Sequence, residues 1–310
     1  MNSGAGKLLG PRHWFSWLAV GLFKLLAFLP FRHQVLLGRG LGGVGYFLAW
    51  RRRSIAKTNL AICLPEYNEV ARERLIREHF AWLGVAVVTQ GLTWLATPRR
   101  IARIVRVRHR ERIDPYLDAG RPAIFLLPHF VGLELGSTAF SALVHSGMYM
   151  YQRLRDPVID AQVLRARTRF GAIPIERHRD LRELVRRLKA GTPFFYLPDQ
   201  DPGRRRGVFV PFCGVPTATV PTLGRIARMA GAVVIPTFAR FLPNGEGLEL
   251  CFDPPLEDFP SGDEKADAAR MNQVIEASLR GMPAQYFWVH RRFKTRPVGA
   301  EPIYPVRRRR

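Results

Sequence analysis

Apolar positions crowd the first fifty residues. Trp14 to Pro30, WFSWLAVGLFKLLAFLP, is interrupted only by Ser16 and Lys24. As a helix rising ~1.5 Å per residue it spans ~25 Å, slightly short of a ~30 Å hydrocarbon core. Tryptophans at one end, and no small-residue cleavage site, predict a retained anchor and not a removed signal peptide. A second apolar stretch, residues 35–50, holds five glycines and Arg39, which makes it a poor independent span. Arg51, Arg52 and Arg53 follow at once. By the positive-inside rule that cluster stays cytoplasmic and the rest of the chain with it. The pattern therefore predicts a membrane anchor and basic stop over 1–53 and a cytoplasmic domain over 54–310.

Beyond the anchor the periods alternate. Residues 65–95 carry helical spacing, as one long helix or two. RIVRVRHRERI (103–113) alternates apolar and basic positions and predicts a strand with one basic face. AIFLL (123–127) is a continuous apolar run, the signal of a buried strand. Further strands are predicted over 148–154, 193–199, 207–212, 232–242 and 248–252, and helices over 157–169, 179–190, 219–230 and 264–280. Strands interleaved with helices imply an α/β fold with a mixed, largely buried sheet flanked by helices.

Charge changes this picture. Forty-eight Lys and Arg face 25 acids, a net charge of +23. Such a surface seeks anionic partners: lipid headgroups, an acidic protein or nucleic acid. No helix-turn-helix, RRM or finger pattern supports nucleic acid, and 47% hydrophobic residues indicate a full core. Cys63, Cys213 and Cys251 are widely spaced and odd in number, which implies neither a disulfide framework nor a zinc site.

The candidate chemistry lies in LLPHFVGLELG (126–136). Pro128 opposes helix at Leu127, so His129 falls in the turn after the predicted strand, and Glu134 in the first turns of the next helix. Within one regular helix five positions would set the two side chains ~140° apart, but across this junction Glu134 can reach back to the imidazole. A carboxylate on one imidazole nitrogen prepares the other as a general base for a hydroxyl nucleophile. The end of PFFYLPD delivers Asp199 and Asp201 to one side, and Asp199 reads as an orienter of an arginine or of backbone. Arg204, Arg205 and Arg206 read as exposed, and His290 as structural.

HFVGLELG, with KTNLAICLPE (57–66), RTRFGAIPIERHRDLRELVRRLKAG (167–191), YLPDQDPG (196–203), VFVPFCGVPTATV (208–220) and QYFWVHRRFKTRP (285–297), resembles the late (secondary) acyltransferases of lipid A biosynthesis. These lauroyl/myristoyl transferases belong to the glycerolipid-acyltransferase superfamily with its His-x4-acid signature. Where that family usually shows Tyr-Arg-Pro, this chain has Tyr151, Gln152 and Arg153. The resemblance implies a glycerolipid-acyltransferase-like fold and transfer of a fatty acyl chain from acyl carrier protein to a hydroxyl of a Kdo-bearing lipid A precursor. It implies His129 and Glu134 as the catalytic pair, and Arg167, Arg169 and Asp199 as substrate-binding or positioning residues. It implies no metal or redox cofactor, and action at the cytoplasmic face of the bacterial inner membrane. Two rivals remain: a relative acting on another phosphoglycolipid or lysophospholipid, and a non-enzymatic basic membrane- or nucleic-acid-binding protein.

Overall fold

A computed structural model describes residues 6–176 and 181–305. The basic tail at 307–310 and the first positions of the helix expected over 179–190 lie outside the described residues. Six helices come first: α1 (Trp14–Leu26), α2 (Phe31–Leu48), α3 (Trp50–Cys63), α4 (Glu69–Val88), α5 (Gln90–Leu95) and α6 (Pro98–Ile104). Strand β1 (Val105–Arg108) and the short α7 (Asp114–Asp118) lead into β2 (Ala123–Leu126) and α8 (Leu133–Leu143). Then come β3 (Met148–Tyr151), α9 (Pro157–Thr168), β4 (Ile173–Glu176), α10 (Leu181–Lys189) and β5 (Phe194–Tyr196). A hairpin of β6 (Val208–Phe212) and β7 (Val215–Thr219) precedes α11 (Thr222–Ala230), β8 (Val233–Phe241), β9 (Leu248–Phe252) and α12 (Glu264–Gly281).

Seven strands form one sheet in the order β1-β9-β8-β2-β5-β3-β4, parallel except where β8 meets β9. Strand β2 is central, and its side chains divide by the two-residue pleat. Ile124 and Leu126 enter a core with Phe194, Tyr196, Met271 and Trp288. Phe125 and Leu127 enter another with Phe140, Phe195 and Phe252. Burial on both faces is why AIFLL reads as a continuous apolar run and not as an alternation. The expected mixed, buried sheet is what the chain builds.

Three elements depart from the pattern. The predicted strand 207–212 is real but stands outside the main sheet, pairing with β7 across Cys213 and Gly214, both at positive φ. β4 lies in GAIPIE, a stretch whose proline and short length hide it among turn signals. The run predicted over 103–113 keeps only four strand residues, because α6 and a 3-10 turn at Arg110–Arg112 take its ends.

The N-terminal segment also differs. Among the described residues no helix is long and apolar enough to cross a membrane. The apolar run breaks where the chain turns over Ala27–Leu29 and Pro30 opens α2, so α1 has 13 residues. The glycines that seemed to spoil residues 35–50 instead let α2 lie against α4. A Cβ on Gly42 would sit 2.1 Å from the Phe80 carbonyl oxygen, and one on Gly84 2.0 Å from that of Gly38. The outer faces of these helices are apolar and exposed: Phe15, Leu18 and Phe28 from α1 and its turn, Phe47, Leu48 and Trp50 at the end of α2 and start of α3.

Candidate active site

The C-terminal ends of β2 and β5 lie side by side, and the chain leaving each strand carries one half of the site. Leu127 N–H still bonds the Tyr196 carbonyl, which extends the ladder one step past β2. His129 and Asp199 then follow at matched distances beyond the two strands. This is where α/β sheets place ligand chemistry. Asp199 is buried, and both of its oxygens turn to His129: Oδ2 accepts the His129 backbone N–H at 2.8 Å, and Oδ1 meets Nδ1 at 2.5 Å. Nδ1 therefore carries the proton, and Nε2 has no hydrogen-bond partner among the described residues.

The C-terminal block closes over this pair. Phe287 N–H donates to the His129 carbonyl and Val131 N–H to the Gln285 carbonyl, an isolated antiparallel bridge on the turn that carries His129. Asn59 holds the block from α3, donating to the carbonyls of Trp288 and His290 at 2.6 and 2.7 Å. Asp201 accepts from Thr295 N–H and Oγ1. The separate sequence blocks are thus bolted together by buried and part-buried side-chain hydrogen bonds, and both Asp201 oxygens are engaged in them.

Electrostatics divides the titratable groups. Burial pulls the His129 imidazole down, but the Asp199 charge and its hydrogen bond, with Glu134 adding, carry the net shift above the ordinary histidine value. Burial pushes the Asp199 carboxyl up, yet His129 and its hydrogen bonds hold it below the usual carboxylate range. Both shifts describe one ion pair. His290 goes the other way: burial lowers it to about 4, and its Nε2 accepts the Asp201 N–H at 3.1 Å. It is neutral near pH 7, with Nε2 engaged by that amide.

Glu134 occupies the first turn of α8 as expected, but its carboxylate does not bond the imidazole. It pairs with Arg167 from α9, which offers both Nε and Nη2. The expected His129–Glu134 hydrogen bond is thereby replaced by His129–Asp199 and Glu134–Arg167. The physical reason is reach: the end of β5 abuts the imidazole, whereas the first turn of α8 faces the end of α9. Arg169, two residues on, does not join the site. Its Nη2 caps α5 through the Ala96 carbonyl at 2.8 Å, and burial lowers its pKa. A helix rotates ~100° per residue, so Arg167 and Arg169 cannot share a face.

Sequence reasoning missed Arg292. It is 2% exposed and donates to the Ala218 carbonyl, Thr219 Oγ1 and Asn272 Oδ1, none of them a carboxylate. It lines the same small cavity as His129, Asp199 and His290, and its charge helps to lower the Asp199 carboxyl. One arginine in HRRFKTR carries no pattern that would mark it as buried.

Of the five amides in the turn 129–133, four are engaged. His129 N–H bonds Asp199, Phe130 N–H the Pro128 carbonyl, Val131 N–H Gln285 and Leu133 N–H Phe130. Gly132 N–H has no partner among the described residues. Beside the Glu134–Arg167 pair a cleft of about 600 Å³, counted to its open mouth, runs between α8, α9 and strands β3 and β5. Its walls are chiefly apolar, Phe170, Phe195 and Leu197 among them. Among the described residues no group of three or more His, Cys, Asp or Glu is arranged to hold a metal ion. A neutralisable base on a buried carboxylate, beside an apolar cleft with a cation at it, suits acyl transfer to a hydroxyl.

Comparison with known proteins gives the family. Residues 1–295 match the family model described as bacterial lipid A biosynthesis acyltransferase. The lipid A biosynthesis lauroyltransferase of Escherichia coli is 36% identical over 298 residues, 96% of this chain and 97% of that protein. The palmitoleoyltransferase of the same organism is 33% identical over 299 residues, with the same two coverages. Its myristoyltransferase is 30% identical over 307 residues, 96% and 94% of the two chains. Among solved structures, the 1-acyl-sn-glycerophosphate acyltransferase of Thermotoga maritima overlaps at a TM-score of 0.39 and 18% identity, over 81% of this chain and 97% of that one. The chain is an acyltransferase and belongs to the bacterial lipid A biosynthesis acyltransferase family.

Proposed function

We propose that this acyltransferase moves a fatty acyl chain from acyl carrier protein to a hydroxyl of a Kdo-bearing lipid A precursor, with His129 as general base and Asp199 as its orienter. The observation that carries the reading is the two-point contact of Asp199 with His129 at the ends of β2 and β5. Nε2 takes the proton of the acceptor hydroxyl as its oxygen attacks the thioester carbonyl. The Asp199 carboxylate stabilises the imidazolium that forms. The free Gly132 amide and the Arg167 guanidinium are the donors available to the developing oxyanion. Collapse expels the carrier thiolate, which recovers the proton from Nε2. A thiol of reference pKa ~8.5 is a good enough leaving group that no metal or redox cofactor is needed. Glu134 anchors Arg167 and adds negative potential near the imidazole.

The enzyme works at the cytoplasmic face of the inner membrane, held there by the exposed apolar faces of α1 and α2. Apolar side chains beside Arg51, Arg52 and Arg53 match an interface rich in anionic headgroups. Mass spectrometry of lipid A from cells with and without the gene tests the whole reading. An added acyl mass on the precursor supports it. Unchanged lipid A with an altered phospholipid acyl profile points to the lysophospholipid rival.

A further inference from the structure

Helix α9 carries Arg167 to Glu134, and its two buried side chains belong to neither main core. Val158 and Ala166 pack in a small separate cluster with Val20 of α1 and Trp94 of α5. Phe23 of α1 closes that cluster, meeting Trp94 edge to face with 5.5 Å between ring centroids. Each end of α9 is also tied to one of the same two helices. At its start Asp156 caps the helix through Oδ1, which accepts the Val158 and Ile159 N–H groups at 2.9 and 3.0 Å. Its Oδ2 accepts the Ser16 hydroxyl of α1 at 2.5 Å. Past its end Arg169 holds the Ala96 carbonyl of the α5 cap. Arg167 stands between these ties, about three turns from Asp156.

The tie at Ser16 leads to the surface. Helix α1 is held thinly: of its 13 residues only Val20 is buried. Phe15, next to Ser16, faces outward with Leu18, Leu22 and Leu25. Few buried contacts mark an element of low local stability, and an apolar outer face marks one that a lipid interface would hold. Capping α9 uses one Asp156 oxygen, and the other is given to α1. The Ser16 hydroxyl and the capping amides keep the Asp156 carboxyl below the usual carboxylate range. The bond to Ser16 is therefore charge-assisted at neutral pH.

We propose that Ser16 and Asp156 form a positioning pair that couples α1 to α9, so that seating α1 on an anionic lipid surface steadies Arg167 beside Glu134. Lipid acts here only by holding the docked form of α1 better than a loosened one. The proposal rests on the membrane attachment and the part of Arg167 described under the proposed function. It adds that turnover responds to the lipid surface itself.

The test follows hydrogen exchange of the full chain, alone and with mixed phosphatidylcholine–phosphatidylglycerol vesicles, for wild type, Ser16→Ala and Ser16→Thr. In wild type the vesicles should slow exchange in α1 and, by about tenfold, in α9, the scale of one charge-assisted bond between two segments. Ser16→Ala should keep the slowing in α1 and lose it in α9. Ser16→Thr retains the hydroxyl and should restore it. Vesicles that leave α9 unchanged in wild type, or that slow it equally in Ser16→Ala, overturn the proposal. On vesicle-borne acceptor Ser16→Ala should lower kcat by about tenfold with KM within about twofold, at unchanged vesicle binding. A loss of vesicle binding that matches the loss of turnover overturns the coupling and assigns Ser16 to attachment. Exchange does not depend on transfer. Coupled exchange without transfer to any lipid A precursor faults the substrate reading alone, and transfer without coupled exchange faults this proposal alone.

Discussion

His129 and Asp199 are joined twice, through the backbone N–H at 2.8 Å and through Nδ1 at 2.5 Å. The double contact fixes both the position of the turn that carries His129 and the plane of the ring, from one carboxylate that is itself buried.

Substitution should rank the polar residues by this geometry. His129→Ala removes the proposed base and should lower kcat/KM by ~10²–10⁴. Asp199→Asn keeps the shape but not the charge, and should cost a comparable amount by disturbing the tautomer. Glu134→Gln, which loosens Arg167 and not the imidazole, should cost less than either. Carrier-dependent transfer assays on the folded variants check the order, and a Glu134 effect larger than that of Asp199 reverses the assignment.

The pH dependence has a definite sign. The base must be neutral, and its pKa is raised, so the acidic limb of kcat/KM should lie above the ordinary imidazole value of ~6.5. In Asp199→Asn the burial penalty stays while the charge is gone, so the limb should move below that value. Stability follows the same pair. The His129 contribution is full below the unfolded imidazole pKa and lost as pH rises through the raised folded value. That of Asp199 is present above the unfolded carboxyl pKa and lost as pH falls through the depressed one. Asp199→Asn should therefore be most destabilising between about pH 4 and about pH 6.5, which urea denaturation across that range reads directly.

Membrane attachment should fail without unfolding. Phe15 is 85% and Leu18 71% exposed, so neither supports the fold. Each buried in lipid is worth ~1.5–3 kcal/mol, and Phe15→Ser or Leu18→Ser should weaken vesicle binding roughly tenfold or more at unchanged melting temperature. Sedimentation with anionic vesicles measures it. Full retention by the double variant would show that other surfaces carry the attachment.

The α2–α4 contact should tolerate no added carbon. Gly84→Ala places a methyl 2.0 Å from the Gly38 oxygen and 2.5 Å from the Gly42 nitrogen. Helix separation should cost about 1–3 kcal/mol or more, measured by denaturant unfolding.

Donor choice should show in salt. Acyl carrier proteins are strongly acidic, and a chain of net charge +23 attracts them over a distance. Raising ionic strength from ~0.01 to ~0.15 M shortens the Debye length from ~30 to ~8 Å. We expect kcat/KM to fall more steeply for carrier-bound than for CoA-bound acyl donor, and neutralising the exposed Arg204, Arg205 and Arg206 to flatten the former. Equal slopes indicate a donor held without protein docking.

Local pattern determined much of this protein. AIFLL became the central strand because a run apolar on both pleat faces has no stable place except inside a sheet. Pro128 put His129 in a turn and Glu134 at a helix start by sterics alone. What the sequence left open was which carboxylate would meet the imidazole. Glu134 is five residues from His129 and Asp199 seventy, yet the parallel pairing of β2 with β5 brings the distant one into contact. The same holds for Arg292, buried by a hairpin and a helix that sequence spacing does not connect to it. It holds also for the N-terminal helices, whose glycines read as defects until α4 fills the space beside them. Short-range sterics and periodicity act within a few residues and are legible in order. Partner choice is settled by long-range pairing of strands and helices, where proximity in space owes nothing to proximity along the chain.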